Sequence, residues 1–87
     1  MIEADAFMAI ADSNRRYILE ELRRGPKSVN ELASGLAVSR PAVSQHLKVL
    51  LDTGLVNAQA QGTRRIYALS SGGFLKLNLW LDQFWEG

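Results

Sequence analysis

Cysteine is absent from this chain of 87 residues, and histidine occurs once, at position 46. Without a thiol the chain cannot form a disulfide, a thiolate zinc site, an iron–sulfur cluster or a cysteine nucleophile. A single imidazole likewise excludes a metal cluster built only from histidines of one protomer. The sequence groups no nucleophile with a base and an orienting residue, and it has no glycine-rich phosphate loop. An enzyme is therefore the class of protein that we expect least.

Long apolar runs are also lacking. The longest, Ala6–Ala11, has six residues and follows Glu3 and Asp5, whereas a transmembrane helix needs about 20 apolar residues and a secretory signal starts with a basic segment. We therefore expect no membrane segment and a protein that works in the cytoplasm. Only two prolines and no repeat interrupt the chain, which favours one domain over residues 1–87, because so short a chain cannot bury two cores.

The formal net charge of +1 conceals an uneven distribution. Residues 13–65 carry nine basic and four acidic side chains, whereas residues 1–12 and 66–87 are both net acidic. A basic middle between acidic ends is typical of a surface that faces a polyanion, although most charge runs are only solvated faces. The basic residues of the middle are Arg15, Arg16, Arg23, Arg24, Lys27, Arg40, Lys48, Arg64 and Arg65.

Hydrophobic periodicity and capping signals predict a mainly α fold with a small β-hairpin. Asp12, Ser28 and Ser39 are the expected N-caps of the second, third and fourth helices, and Ser70 or Ser71 is the expected N-cap of the last. Ser28 with Glu31 also fits the capping box. Two short helices joined by a turn of three to four residues predict a helix-turn-helix, and the hairpin lies where a wing would follow. The expected order is α-α-α-α-β-β-α, with helices at about 4–10, 13–24, 29–35, 40–53 and 71–85 and strands at 55–61 and 64–69.

The fourth predicted helix has two distinct faces. At about 100° per residue its apolar side contains Val43, Leu47 and Leu50, while its polar side offers a guanidinium, a carboxamide, a hydroxyl and an ammonium group. A guanidinium can bond the O6/N7 edge of guanine, a carboxamide the N6/N7 edge of adenine, and hydroxyls can reach phosphates. An ordinary solvated face is the alternative. His46 falls between the faces, and we expect its ring to bond backbone or a phosphate rather than a metal.

Three segments carry a resemblance to a known family: residues 39–50 (SRPAVSQHLKVL), 54–56 (GLV) and 62–69 (GTRRIYAL). Together they resemble the ArsR-like family of winged helix-turn-helix repressors, and the match extends upstream through residues 15–19 and 28–36. The resemblance implies that helix 40–53 enters the major groove of double-stranded DNA, that the hairpin contacts the DNA backbone or minor groove, and that terminal helices form a symmetric dimer. The DNA-binding residues that it implies are Ser39, Arg40, Pro41, Ser44, Gln45, His46 and Lys48 in the helix and Thr63, Arg64 and Arg65 in the wing.

Many members of that family sense metals through a cysteine pair in the helix matching 28–36, or through histidine and acidic ligands in the last helix. Here the first segment has no thiol, and residues 70–87 offer only Asp82 and Glu86. Two carboxylates make a weak site for a hard cation. We therefore expect no metal and no cofactor, and a regulator that represses constitutively or responds to a small molecule, a protein or its own concentration.

The last predicted helix has more apolar residues than one stripe needs. Eight of the twelve residues from 74 to 85 are apolar, including both tryptophans, and on a monomer the surplus would form an exposed patch. A helix buried on two sides in its own core is the alternative, but so short a chain has little material to cover it. We expect a twofold homodimer on an inverted-repeat operator. The predicted interface residues are Phe7, Ile10, Phe74, Leu77, Trp80, Leu81, Phe84 and Trp85.

The sequence therefore predicts a dimeric, sequence-specific DNA-binding repressor. A winged helix used only for protein–protein contacts stays open as the alternative, because one fold can serve several functions.

Overall fold

The structure, a computed structural model, describes residues 5–85. Its elements are α1 (Ala6–Ile10), α2 (Ser13–Leu22), β1 (Lys27–Ser28), α3 (Val29–Ser34), α4 (Arg40–Asp52), β2 (Val56–Gln61), β3 (Arg64–Leu69) and α5 (Ser71–Asp82). The predicted fold class, mainly helical with a β wing, is confirmed. Residue 4, where the first helix was predicted to begin, lies outside the described residues. Within them no helix is both long and apolar enough to span a bilayer.

The prediction of a simple hairpin was incomplete, because the sheet has a third strand. Lys27 and Ser28 pair antiparallel with Tyr67 and Ile66, which gives the strand order β1-β3-β2. Two residues are too few to show the alternation by which a strand is recognised in a sequence. The extra strand places the start of α3 directly beside the wing, the hairpin formed by β2 and β3.

Three of the four predicted N-caps are confirmed. The Asp12 carboxylate accepts hydrogen bonds from the amides of Asn14 and Arg15 at 2.8 and 3.1 Å. Ser39 Oγ accepts from the amide of Ala42 at 3.2 Å, and both halves of the Ser28–Glu31 capping box are formed. These short-range bonds satisfy amides that have no partner within their own helix, so they determine where α2, α3 and α4 begin.

Two helices end at least two residues earlier than predicted. Helix α2 ends at Leu22, before the bend at Gly25, and α5 ends at Asp82, beyond which a turn leads to Trp85. The predicted side-chain cap of α5 at Ser70 or Ser71 is wrong, because Ser70 stands at the N-cap position and makes no side-chain cap hydrogen bond. The start of α5 is held instead by a close backbone approach, in which the Gly73 amide donates to the carbonyl oxygen of Gly54 at 2.9 Å. A Cβ at Gly73 would lie 2.8 Å from the carbonyl oxygen of Thr53, so only glycine fits there without a shift.

The core lies between the helices and one face of the sheet. The predicted apolar side of α4, made of Val43, Leu47 and Leu50, is fully buried. Leu55, predicted as the first residue of a strand, precedes β2 and is fully buried as well. Because the whole apolar side of α4 packs inward, its polar side is held toward solvent. The remaining large side chains of the fully buried core are Ile18 and Leu32.

Candidate nucleic-acid interface

Helix α4 presents the polar face that the sequence predicted. Every side chain on this polar face is exposed, whereas the side chains on the opposite face of the helix belong to the core. Ser39 caps the helix, so the hydroxyl is already engaged by the amide of Ala42. The exposed residues of this polar face, called the reading face below, are Ser39, Arg40, Pro41, Ser44, Gln45 and Lys48.

The wing ends in a two-residue turn. Gln61 pairs with Arg64, which leaves Gly62 and Thr63 as the loop. Gly62 has a φ of +62°, as the first central residue of a type II′ turn requires, and this turn matches the twist of the strands. Gly62 therefore determines the type of turn at the tip of the wing. Arg64 and Arg65 follow the turn as exposed residues at the start of β3.

The fold brings the reading face and the wing together around two adjoining grooves. Arg40 lines the first groove with Thr63, Arg64 and Arg65 of the wing, opposite Ser28, Val29 and Asn30. Ser44 and Lys48 line the second groove with Arg65 and Tyr67. Six of the ten residues predicted to bind DNA therefore share one concave basic surface. Ser39, Pro41 and Gln45 are exposed but line neither groove, and His46 lies elsewhere.

Two of the cationic groups in these grooves already have carboxylate partners. Lys48 Nζ lies 3.2 Å from Asp52 Oδ2 one turn further along α4, and Arg64 Nη2 lies 3.1 Å from Glu31 Oε1 in α3. The Arg65 guanidinium lies 5.8 Å from the centre of the Tyr67 ring, in a cation–π arrangement. Within residues 5–85 no carboxylate oxygen comes within 4.0 Å of Arg40 or Arg65, so these two guanidiniums are free of ion pairs there.

His46 is half-buried, and its ring has a partner that the sequence did not predict. Its Nδ1 lies 3.2 Å from Nη1 of Arg15. Because a guanidinium can only donate, Nδ1 must accept, and the ring proton is left on Nε2. The same guanidinium donates to the carbonyl oxygens of Ala9 and Met8 at 2.7 and 3.2 Å. Arg15 thus joins α1, α2 and α4, a role that its place among the basic residues did not reveal.

Helices α1 and α5 pack side by side, and Phe7 of α1 and Trp80 of α5 form an aromatic cluster with Phe84 of the turn that follows α5. The rings of Phe7 and Trp80 are 5.2 Å apart and those of Trp80 and Phe84 4.8 Å apart, both edge to face. All three side chains are substantially exposed, and Leu81 and Trp85 are exposed beside them. The two helices therefore carry a large uncovered apolar surface.

The predicted interface set needs a correction. Leu77 is only 7% exposed and belongs to the core of its own protomer, and Ile10 and Phe74 are partly buried against that core. Conversely, Leu75 and Leu79 are each 59% exposed but were absent from the predicted set. The apolar surplus of this helix signalled the surface correctly, but spacing alone did not distinguish the inward residues from the outward ones.

The described residues hold no cluster of three histidine, aspartate or glutamate side chains that could bind a metal ion. Asp82 ends α5, whereas Glu86, the other predicted candidate ligand, lies outside residues 5–85.

A helix-turn-helix with an exposed polar second helix and a basic wing defines a winged helix-turn-helix transcriptional regulator. The chain belongs to the arsR family of bacterial regulatory proteins, whose model matches residues 12–58. This confirms the resemblance noted in the sequence, and the members of this family are transcriptional regulators, not enzymes.

Individual relatives agree with this assignment. HTH-type transcriptional regulator Rv2034 of Mycobacterium tuberculosis is 54% identical over 80 residues, which cover 92% of this chain and 75% of the relative. A crystal structure of a possible transcriptional regulator for arsenical resistance matches with a TM-score of 0.86 at 37% identity, over 95% of this chain and 86% of that one. The homodimeric winged helix-turn-helix DNA-binding domain of Mb0332 from Mycobacterium bovis matches with a TM-score of 0.72 at 27% identity, over 93% and 79%.

Proposed function

We propose that this regulator is a homodimer that binds a specific inverted repeat in double-stranded DNA and represses transcription by covering a promoter. The observation that carries the proposal is the concave basic surface on which Arg40 of α4 and Arg64 and Arg65 of the wing converge. Its width is set by rigid elements, because α4 is anchored through its buried side and the wing is paired to β1. In this account residues 1–87 act as one DNA-binding domain.

Contacts to base edges and contacts to phosphates have different roles in this proposal. Arg40 and Gln45 on the exposed face of α4 have the donor geometry to read base edges in the major groove. Contacts to phosphate position the protein but carry no sequence information directly. The residues suited to these contacts carry a positive charge, a hydroxyl group or, in His46, the Nε2–H. These residues are Ser39, Ser44, His46, Lys48, Thr63, Arg64 and Arg65, and Pro41 contributes apolar surface at the start of the helix.

Dimerisation is supported by the exposed apolar surface of α1 and α5 and by the homodimeric state of the related Mycobacterium bovis domain. Burial of this surface against a second copy removes a patch that an isolated domain would leave in water. We assign the interface to exposed apolar residues of α1, of α5 and of the turn that follows α5, with Ile10, Phe74 and Leu77 supporting them from the inside. They are Phe7, Leu75, Leu79, Trp80, Leu81, Phe84 and Trp85. A twofold axis then sets α4 and its copy about 34 Å apart, one turn of DNA.

Regulation in this account depends on no metal and no cofactor. The pair of carboxylates in the last segment is a poor site for a cation, so release from DNA is left to a small molecule, a protein or the dimer concentration. A repressor of this kind works in the cytoplasm, where a bacterial chromosome is found.

A selection from a random library of duplex DNA tests the proposal. We expect an enriched inverted repeat whose half-sites lie about 10 base pairs apart, centre to centre. A library that shows no enriched sequence, with weak binding at physiological salt, would instead support a winged helix used for protein contacts.

A further inference from the structure

The Glu31 carboxylate lies where α3 meets the wing, and one of its oxygens has two partners. Oε1 accepts a hydrogen bond from the amide of Ser28 at 3.0 Å and another from Arg64 Nη2 at 3.1 Å. The Ser28 hydroxyl in turn accepts from the amide of Glu31 at 3.2 Å. The capping box of α3 and the ion pair to the wing therefore share a single oxygen atom.

The cap keeps this carboxylate beside Arg64, which lines the first groove. If Glu31 rotated away from the wing, Ser28 would lose its partner and the first turn of α3 would lose half of its capping box. Hydrogen bonds from the backbone and the side chain of Ser28 hold the pKa of Glu31 below its usual value, more than burial raises it, and the nearby Arg64 lowers it further. The group is thus a fixed negative charge at neutral pH.

Arg64 is the partner that can leave the ion pair while its backbone stays in place. Its backbone is held by pairing with Gln61 in the hairpin, so the position of the wing does not depend on Glu31. Its side chain is long and 61% exposed, and the Glu31 side chain is 50% exposed. A guanidinium can exchange a carboxylate for a phosphate, because both anions offer oxygen pairs of similar geometry.

From this geometry we infer that Glu31 competes with DNA phosphates for Arg64 and so weakens DNA binding. The inference rests on the proposed function, because it assumes that the groove receives duplex DNA. When a phosphate arrives, Arg64 has to leave Oε1, and Glu31 stays behind as an uncompensated negative charge beside the DNA backbone. Exposed ion pairs are weak, so the competition lowers affinity by a small factor and does not prevent binding.

The variant Glu31→Gln separates the competition from the cap, because glutamine at this position can still complete a capping box. At low salt we expect it to bind a labelled duplex of random sequence about two- to fivefold more tightly than the wild type. The gain should shrink as salt rises, since salt screens exposed charges. Glu20→Gln is the matched control, because it removes an equal charge from an exposed position on α2 and should leave affinity near that of the wild type.

A double-mutant cycle with Arg64→Ala identifies the cause of any gain. If Glu31 acts by competition, Glu31→Gln should have little effect once Arg64 is absent. An equal gain in the Arg64→Ala background would overturn the inference in favour of general charge repulsion. Unchanged binding by Glu31→Gln would overturn the inference, because the carboxylate would then not compete for Arg64. Weaker binding would overturn it too, because the carboxylate would then be positioning Arg64 for DNA. Failure of the wild type to bind duplex DNA would instead refute the proposed function, and the inference with it.

Discussion

Arg15 Nη1 lies 3.2 Å from His46 Nδ1, and this contact links the helix that precedes the helix-turn-helix to the helix that faces the grooves. The remaining donors of Arg15 bond two carbonyl oxygens at the end of α1. One side chain therefore holds α1, which carries part of the apolar surface, in a fixed relation to α4.

Replacement of Arg15 by alanine should lower the free energy of unfolding by about 1–3 kcal/mol, because it removes charged donors from partly buried acceptors. Urea unfolding followed by circular dichroism measures the change. Arg16→Ala is the control, since within residues 5–85 the Arg16 side chain donates a single hydrogen bond, to the exposed carbonyl oxygen of Ile10. Equal losses in the two variants would contradict the role assigned to Arg15.

Asp12→Ala should destabilise the protein by about 1 kcal/mol at neutral pH, the usual cost of a lost N-cap. The Arg15 amide holds the pKa of Asp12 below its ordinary value of 3.8; burial raises this pKa, whereas the Asn14 amide and the charge of the Arg15 guanidinium lower it further. Because the folded pKa is the lower one, the charged cap stabilises the fold above the unfolded pKa, and this stabilisation is lost as pH falls through the folded value.

The difference in unfolding free energy between wild type and Asp12→Ala should therefore narrow when urea unfolding is repeated at about pH 3. Asp12→Asn serves as the control, since asparagine also caps helices but carries no charge. A difference in unfolding free energy that stays constant or grows in acid would count against the charged cap.

Gly73→Ala should destabilise the protein by about 1–3 kcal/mol, because the added methyl overpacks a site closed by backbone. The new Cβ would lie 2.8 Å from the Thr53 carbonyl oxygen and 2.9 Å from the carbonyl carbon of Gly54. At Gly72 the corresponding atom meets only one oxygen, at 3.9 Å, so Gly72→Ala should be neutral or slightly stabilising. Thermal unfolding compares the two variants, and equal melting temperatures would refute the close approach.

Phe84→Glu should convert the dimer to a monomer, because it puts a charge into the proposed apolar interface. The side chain is 64% exposed in the protomer, so the fold itself should survive the change. Light scattering at micromolar concentration measures the mass, and Gln59→Glu in β2 is the control for an added surface charge. A wild-type protein that is already monomeric, or a Phe84→Glu variant that stays dimeric, would contradict this interface.

The features that could be predicted from the sequence depend on short stretches of chain. The cap at Asp12, the capping box from Ser28 to Glu31 and the two faces of α4 all follow from spacing within a few residues. The polar face of α4 can therefore be identified from the sequence without the tertiary contacts of the helix.

The features that could not be predicted depend on tertiary contacts. Arg15 meets His46 across 31 positions and Arg64 meets Glu31 across 33, and no local pattern marks either pair. Strand β1 is too short to show a period, and it is defined only by its pairing with β3. The inward position of Leu77 likewise follows from how α5 packs, which helical spacing alone does not determine.

The central claim is that α4 reads bases while the wing holds phosphate, and fluorescence anisotropy with the selected operator and a scrambled duplex tests it most directly. Arg40→Ala should lose about 1–3 kcal/mol of discrimination between the two duplexes, whereas Arg64→Ala should weaken both alike and reduce the salt slope by about one. Arg24→Ala, which removes a charge from the turn after α2 and outside the grooves, should behave as the wild type. Wild-type, Arg40→Ala and Arg64→Ala proteins that bind both duplexes equally would contradict the account.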